Sequence, residues 1–320
     1  MGVAVAIDLS DARSVLAIDV GGSHITVARC NLKGFGILRT ARAELPPDPS
    51  CDEFLDLIHS LSHEMLPDSS VPVGAVLAVP GPFDLVSGVS HMQHKLKSLY
   101  GLDLRKALAE RFGWRSGQFL FVGDAVAFLL GEVNCGAARG ARKAIGIVIG
   151  TGIGSAFACD GELVTQGHGI PPGGEIWNLP YGNGIVEDLL STRAIKGGYG
   201  ALTGRDEEVI SIATRADFDP EARAVFQRFG LNLGRVFRDV LAPFGPDVVV
   251  LGGGISRSAR LFLPFAQNQL NGFGFKLVTS RLLDKAPLVG AASFWRSDTD
   301  ISTKAAIYDP ERTDSLRDGP

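Results

Sequence analysis

Residues 144–159 read Ala144-Ile145-Gly146-Ile147-Val148-Ile149-Gly150-Thr151-Gly152-Ile153-Gly154-Ser155-Ala156-Phe157-Ala158-Cys159: an apolar run, a glycine turn and a second apolar run. A dinucleotide-binding loop of similar composition would open a helix, with an acid about 20 residues later for the ribose. Here Ser155–Cys159 reads as a returning strand, so the pattern predicts a hairpin. Glycines in such a turn let several backbone N–H groups converge on an anion, a nest suited to phosphate. Most glycine turns only reverse the chain, and for a single turn that alternative stays open.

The same pattern opens the chain. Val15–Val20 reads as a buried strand, Gly21-Gly22-Ser23 as a turn and Ile25–Cys30 as a second strand. At an offset of 129 residues Ile18 meets Ile147, Gly21 meets Gly150 and Cys30 meets Cys159. A strand–glycine turn–strand unit opening each half predicts two related α/β lobes instead of one continuous sheet. If the lobes face each other, the two turns can hold one polyphosphate from opposite sides. Asp19 interrupts the first apolar strand, and a buried carboxylate needs a partner. Hydrogen bonds to its own turn are one reading; Mg²⁺ held near phosphate, through water, is the other. Asp124 follows the apolar run 119–122 and Gly123. It reads as a helix N-cap, as a general base at a strand end, or as both.

Between these motifs, Cys51–Met65 has an apolar stripe of Phe54, Leu55, Ile58 and Leu61 at helical spacing. Val73–Val79 is a predicted strand ended by Pro80-Gly81-Pro82, Asp103–Phe112 a helix, Gln118–Val122 a strand, and 124–138 a helix. A glycine- and proline-rich loop covers 167–184. Helices are expected over 186–196, 221–241 and 257–270, with a buried strand at Asp247–Leu251 and a last apolar segment at Pro287–Trp295. The lobes are expected at 1–123 and 124–285, with 286–300 rejoining the first and a polar, disordered tail over 297–320. That tail carries six acids against three bases, so most of the formal charge of −4 sits there and the body offers no basic face for nucleic acid. The four cysteines are scattered, with no C-x-x-C pair. Neither a signal peptide nor an apolar run of the ~20 residues needed to span a bilayer is evident, and cytoplasmic placement with no membrane contact is the expectation.

Five motifs in order carry a resemblance: Asp-x-Gly-Gly-Ser (19–23), Val-Pro-Gly-Pro-Phe-Asp (79–84), Gly-Asp-Ala-x-Ala-x-x-x-Gly-Glu (123–132), Gly-Thr-Gly-Ile-Gly (150–154) and Val-x-Leu-Gly-Gly-Gly-Ile-Ser (249–256). Over roughly residues 15–295 the chain resembles the ROK family of sugar kinases and sugar-responsive repressors. The resemblance implies a two-lobed, actin-like (ribonuclease H-like) ATPase fold with the active site in the interdomain cleft, ATP and Mg²⁺ as nucleotide and metal, a sugar substrate and a homodimer. It assigns phosphate contacts to Asp19, Gly21, Gly22 and Ser23 and to Gly150, Thr151 and Gly152. Gly252, Gly253 and Gly254 fall beside the adenosine, and Asp124 becomes the catalytic base. Sugar contacts fall on Gly81, Lys95, Gly123, Asp124, Glu175, Asn178 and Glu187. His168, in the glycine-rich loop near Glu175, is a further candidate.

The departures concern the sugar. An Asn usual before the catalytic Asp is Gly123 here, and the family's Gly-Glu-x-Gly-His becomes Gly174-Glu175-Ile176-Trp177-Asn178. The His that also ligates zinc in the family is replaced by Asn178, with no cysteine before Glu187, so no zinc site is expected. His59 and His63 lie four apart on a helix without a third ligand and read as a solvated pair. His91 and His94 read as surface, and Glu187 also suits a helix N-terminus. The leading expectation is phosphorylation of a hexose or modified hexose. A catalytically silent sugar sensor and a polyphosphate-dependent kinase are the alternatives. Direct DNA binding is disfavoured, because only about fourteen residues precede the first strand, too few for a helix-turn-helix.

Overall fold

The computed structural model describes residues 13–66, 71–93 and 95–296; the expected disordered tail and most of the N-terminal lead lie outside the described residues. The chain divides into two compact units, the first within residues 13–124 and 291–296, the second within 125–290.

In the first unit β1 (Ser14–Val20), β2 (His24–Asn31) and β3 (Ile37–Glu44) form an antiparallel meander. Helix α1 (Cys51–Glu64) leads to β4 (Ala75–Val79), the short hairpin β5 (Phe83–Asp84) and β6 (Val89–Ser90), α2 (Leu104–Phe112) and β7 (Phe119–Gly123). The sheet order is β3-β2-β1-β4-β7, with β1, β4 and β7 parallel. Helix α1 begins at a capping box in which Ser50 and Glu53 satisfy each other's backbone N–H groups. Its Phe54, Leu55, Ile58 and Leu61 are buried with Leu16, Ile18, Leu77 and Phe119 in one core.

Helix α3 (Asp124–Cys135) starts the second unit, followed by β8 (Lys143–Ile149), β9 (Ile153–Cys159), β10 (Glu162–Val164), the hairpin β11 (Pro180–Tyr181) and β12 (Gly184–Ile185), and helices α4 (Val186–Leu189), α5 (Thr192–Thr203), α6 (Val209–Arg215) and α7 (Pro220–Val236). Then come β13 (Val248–Gly252), α8 (Leu263–Gln269), β14 (Lys276–Thr279) and α9 (Ala286–Arg296). The sheet order β10-β9-β8-β13-β14 repeats the first sheet, three antiparallel strands and then two parallel additions. This duplicated sheet is the core of the actin-like ATPase fold.

The repeat, two helices and the unit boundary each differ in detail from the sequence pattern. The strand starts do repeat at an offset of 129 (Ser14 and Lys143, His24 and Ile153), but the pairing does not. Val15 pairs with Cys30, whereas its counterpart Ala144 pairs with Ala158, not Cys159. Four residues separate the last pair Val20–Ile25 and only three separate Ile149–Ile153. A one-residue slip exchanges the faces of a strand, and the burial follows: Thr26 is half-exposed while its counterpart Ser155 is buried. Second, the helix expected over 186–196 breaks at Leu190–Ser191, because the Thr192 N–H turns away to the Gly150 carbonyl. The one expected over 257–270 is a 3₁₀ stretch, Gly254–Leu261, that stops at Phe262 before α8 restarts with Pro264 in its first turn. Third, the chain rejoins the first unit from residue 291, inside α9. The early turns of α9 lie backbone-to-backbone on α3: a side chain at Gly131 would meet the Ala286 carbonyl at 2.1 Å, and one at Gly290 the Ala127 carbonyl at 1.7 Å.

Candidate functional site

Parallel strands end on the same side of a sheet, and ligands of open α/β sheets bind outside those carboxyl ends. In the first unit Val79 is level with Gly123, and Asp19 with Ala78. The register therefore brings the Gly21–Ser23 turn after β1, Pro80–Pro82 after β4 and Asp124 after β7 to one edge. At ~4.8 Å between strands, β1 and β7 lie about 10 Å apart. Asp19 is the one half-exposed residue of β1, at the end that carries the turn. The turn is closed by the Gly21 N–H to the His24 carbonyl (3.0 Å) and pinned by the Leu45 N–H to the Ser23 carbonyl (2.9 Å). Gly22 and Ser23 are exposed, and nothing lies within 4 Å of where a Gly22 or Gly81 side chain would begin. Asp124 is half-buried and is the first residue of α3, inside the helix and not the cap before it. Asp84 is occupied by its own turn, accepting from the Val86 N–H (2.9 Å), the Ser87 N–H (3.1 Å) and the Ser87 hydroxyl (2.6 Å). Partial burial pushes its carboxyl up, but these donors outweigh that and hold it below the ordinary carboxylate range.

The second unit repeats the arrangement. Leu251 and Gly252 are level with Ile147 and Val148, so the 150–152 turn and Gly253–Gly254 share one sheet edge. The three glycines after β13 differ. A side chain on Gly252 would run into the Phe128 ring at 2.3 Å. Gly253, at φ 80°, would meet the Ile149 carbonyl at 2.3 Å, and Gly254 faces nothing within 4 Å. The first two are demanded by packing; Gly254 is open. Around the 150–152 turn, the Thr192 N–H and hydroxyl both donate to the Gly150 carbonyl (2.8 and 2.7 Å). Glu187 Oε2 accepts from the Ile153 N–H (3.2 Å), and Oε1 pairs with Arg193 (2.7 Å).

Buried Ser155 anchors the loop that carries Glu175: its hydroxyl donates to the Gly174 carbonyl (2.7 Å) and accepts from the Ile176 N–H (3.1 Å). Glu175 is exposed and accepts from the Trp177 indole N–H (2.8 Å), while the Trp177 carbonyl accepts from the Glu187 N–H (3.0 Å). Asn178, His168 and Lys95 are exposed, and none bonds to another named site residue among the described residues. Among those residues no three His, Cys, Asp or Glu side chains gather as a metal set. His59 packs edge-on against Phe112, ring centroids 5.0 Å apart.

The ROK family model matches residues 15–298. The chain belongs to the ROK family. A glucokinase from Thermotoga maritima is 26% identical over 87% of this chain and 96% of its own length. An N-acetyl-D-glucosamine kinase from Photobacterium profundum is 26% identical over 76% of this chain and 85% of its own. Among solved structures, a ROK family glucokinase from Streptomyces griseus in complex with glucose and AMPPNP superposes with a TM-score of 0.71 at 21% identity, covering 88% of this chain and 98% of that one. No described helix of this ROK chain is long and apolar enough to cross a membrane.

Sequence reasoning did not find Ser155, Thr192 or Arg193. Ser155 reads as an ordinary strand residue until the register slip turns it inward. Ser191-Thr192 is a helix-start signal inside a stretch whose apolar spacing suggests a continuous helix. Nothing local marks Arg193 as the partner of Glu187.

Proposed function

We propose that the chain is an ATP-dependent sugar kinase in which Asp124 accepts the proton of the attacking hydroxyl. The observation that supports this best is the register of β1, β4 and β7, which gathers an acid beside a glycine turn (Asp19, Gly21–Ser23) and a second acid (Asp124) at one strand edge. In phosphoryl transfer the protein positions the reactants and stabilises charge, and a carboxylate within reach of the acceptor hydroxyl takes its proton. Asp124, rigidly placed as the first helical residue after β7, suits that task. In each unit an open glycine turn, 21–23 or 150–152, offers backbone N–H groups to phosphate oxygens, and Gly254 leaves room for the nucleoside at the strand edge it shares with the 150–152 turn. Asp19 supplies a hard oxygen that fits Mg²⁺, whose chemistry when bound is to neutralise phosphate charge. The sugar contacts of the proposal are Gly81, Lys95, Gly123 and Asp124 in the first unit and Glu175, Asn178, Glu187 and His168 in the second, without zinc.

A coupled assay of ATP consumption against hexoses, N-acylhexosamines and polyols, with polyphosphate as a parallel donor, tests the reading. Asp124→Ala should lower turnover by about 10²–10⁴, the usual contribution of a positioned base, and leave binding of Mg-AMPPNP intact. Near-normal turnover in that variant would remove Asp124 from the role. Sugar binding by calorimetry without nucleotide binding or turnover would instead favour a silent sensor, a reading to which the loss of Asn at position 123 and of His at 178 lends support.

A further inference from the structure

The Ser155 hydroxyl ties the loop at two points, donating to the Gly174 carbonyl (2.7 Å) and accepting from the Ile176 N–H (3.1 Å). Between them Glu175 is extended, at φ −102° and ψ 129°. Side chains alternate along an extended chain, so residues 175 and 177 fall on the face opposite 176. Burial agrees: Ile176 is fully buried in the core of the second unit, while Glu175 and Trp177 are exposed. The chain beyond is held as well. The Ile176 carbonyl accepts from the Leu179 N–H (3.2 Å), and the Trp177 carbonyl accepts from the Glu187 N–H (3.0 Å). The Trp177 indole N–H is turned to Glu175 Oε2 (2.8 Å).

Trp177 is 41% exposed. The one polar atom of its ring already has a partner in Glu175, so the surface left in water is carbon. Leaving it there forgoes the free energy that its burial would supply. The carboxylate beside it still has room for donors: Oε2 takes one of the two it can accept, and Oε1 takes none among the described residues. A carboxylate acceptor and an aromatic carbon surface, fixed side by side, match a pyranose. Hydroxyls at the rim of the sugar donate to the acid, and C–H groups on its face cover the ring. An open-chain polyol has the hydroxyls without a fixed C–H face. We infer that Trp177 is a specificity-determining residue, the surface on which a pyranose held by Glu175 rests. The inference rests on the kinase reading and adds to its sugar site a residue that selects pyranoses over open-chain polyols.

The test uses Trp177→Phe, which keeps an aromatic face without the indole N–H, and Trp177→Ala, which loses both. The ties of the loop run through Ser155 and the main chain, so both variants should fold, with melting temperature as the check. For the best hexose Trp177→Ala should raise KM about tenfold, the ratio that goes with roughly 1.4 kcal/mol of lost contact. Trp177→Phe should raise it about threefold or less. KM for ATP should stay within about twofold in both, and the preference for hexose over polyol in kcat/KM should fall about tenfold in Trp177→Ala. Fluorescence reads binding without turnover. Trp114 packs on Phe112 and Phe119, ring centroids 5.2 and 5.5 Å away, and Trp295 is half-buried against Gly74. Acrylamide therefore quenches Trp177 foremost, and hexose should reduce that quenching. Trp177→Phe as damaged as Trp177→Ala would leave the N–H bond to Glu175 as the whole role and overturn the inference. An unchanged hexose KM in Trp177→Ala would overturn it too. So would quenching that falls with protein concentration and not with hexose, which would make the ring a contact between copies of the chain. Wild-type protein that neither consumes ATP nor binds any sugar would sink the kinase reading and this residue's role together. A working kinase indifferent to Trp177→Ala would sink the role alone, and hexose protection of Trp177 without turnover would sink the kinase reading and keep it.

Discussion

Replacing Gly253 by Ala should cost more stability than any other single methyl added at the candidate nucleotide edge. The residue sits at φ 80° and ψ 173°, a region essentially restricted to glycine, where other residues cost about 1–3 kcal/mol. The new methyl would lie 2.3 Å from the Ile149 oxygen, 2.7 Å from its nitrogen and 2.8 Å from its carbonyl carbon. All three are backbone atoms at the end of β8, so no side chain can rotate away. Overpacking of this kind adds about 1–3 kcal/mol. The sum is about 2–6 kcal/mol. For a unit of this size each kcal/mol moves Tm by roughly 2–4 °C, so a drop of about 10 °C is expected. Gly254, one residue on, is the control: with nothing within 4 Å, Gly254→Ala should stay within about 0.5 kcal/mol of wild type. Differential scanning calorimetry of the three proteins measures both. A Gly253→Ala protein melting within a degree or two of wild type would refute the packing account and leave ligand contact as the reason for glycine there. If Gly254 faces the nucleoside, Gly254→Val should raise KM for ATP with Tm unchanged.

Glu132 is fully buried and accepts from the Ser280 hydroxyl and from the N–H groups of Leu282 (3.1 Å) and Ala137 (2.6 Å), tying α3 to the β14–α9 connection. Glu132→Ala strands those donors and should destabilise by about 3–5 kcal/mol in urea unfolding, with Glu132→Gln costing less. Asp247 accepts from the Lys143 N–H, which holds its carboxyl below the ordinary range against a weaker desolvation effect, helped by the Arg142 N–H. A depressed folded-state pKa stabilises above the unfolded value of about 3.9 and is lost as pH falls through the folded value. Asp247→Asn should therefore melt lower than wild type at pH 7, and the gap should close as melts are taken down toward pH 3; a gap independent of pH would contradict the assignment.

Repetition made the architecture legible before any coordinates. Two strand–glycine–strand units, an apolar stripe on α1 and apolar runs at 118–122 and 247–251 are local patterns, and local patterns survive into the sheet. What could not be read depends on partners far away in sequence. The slip between the hairpins is set by one residue of turn length, which composition does not reveal. The break before α5 is made by a hydrogen bond from Thr192 to Gly150, 42 residues earlier. The engagement of Glu187 needs both Ile153 and Arg193, and only the fold joins them.

The glycines show how motif and structure divide the work of inference. Gly252, Gly253, Gly131 and Gly290 are each pressed against a ring or a backbone carbonyl, so the fold alone accounts for them and they say nothing about a ligand. Gly22, Gly150 and Gly254 are different. Each has empty space where a side chain would begin and an ordinary backbone conformation, and each gives up the roughly 0.5–1 kcal/mol that a less flexible residue would add in an ordered segment. Openness alone marks no ligand, since Gly34, Gly117 and Gly197 are equally open away from these strand edges; position at the strand edge makes Gly22, Gly150 and Gly254 the candidates. All three stand at the carboxyl edges of parallel strands, beside Asp19 and Asp124 in one unit and beside the Glu187–Arg193 pair in the other. If these open glycines and the charged groups around them carry the proposed nucleotide site, substitutions there should change ligand binding before they change folding.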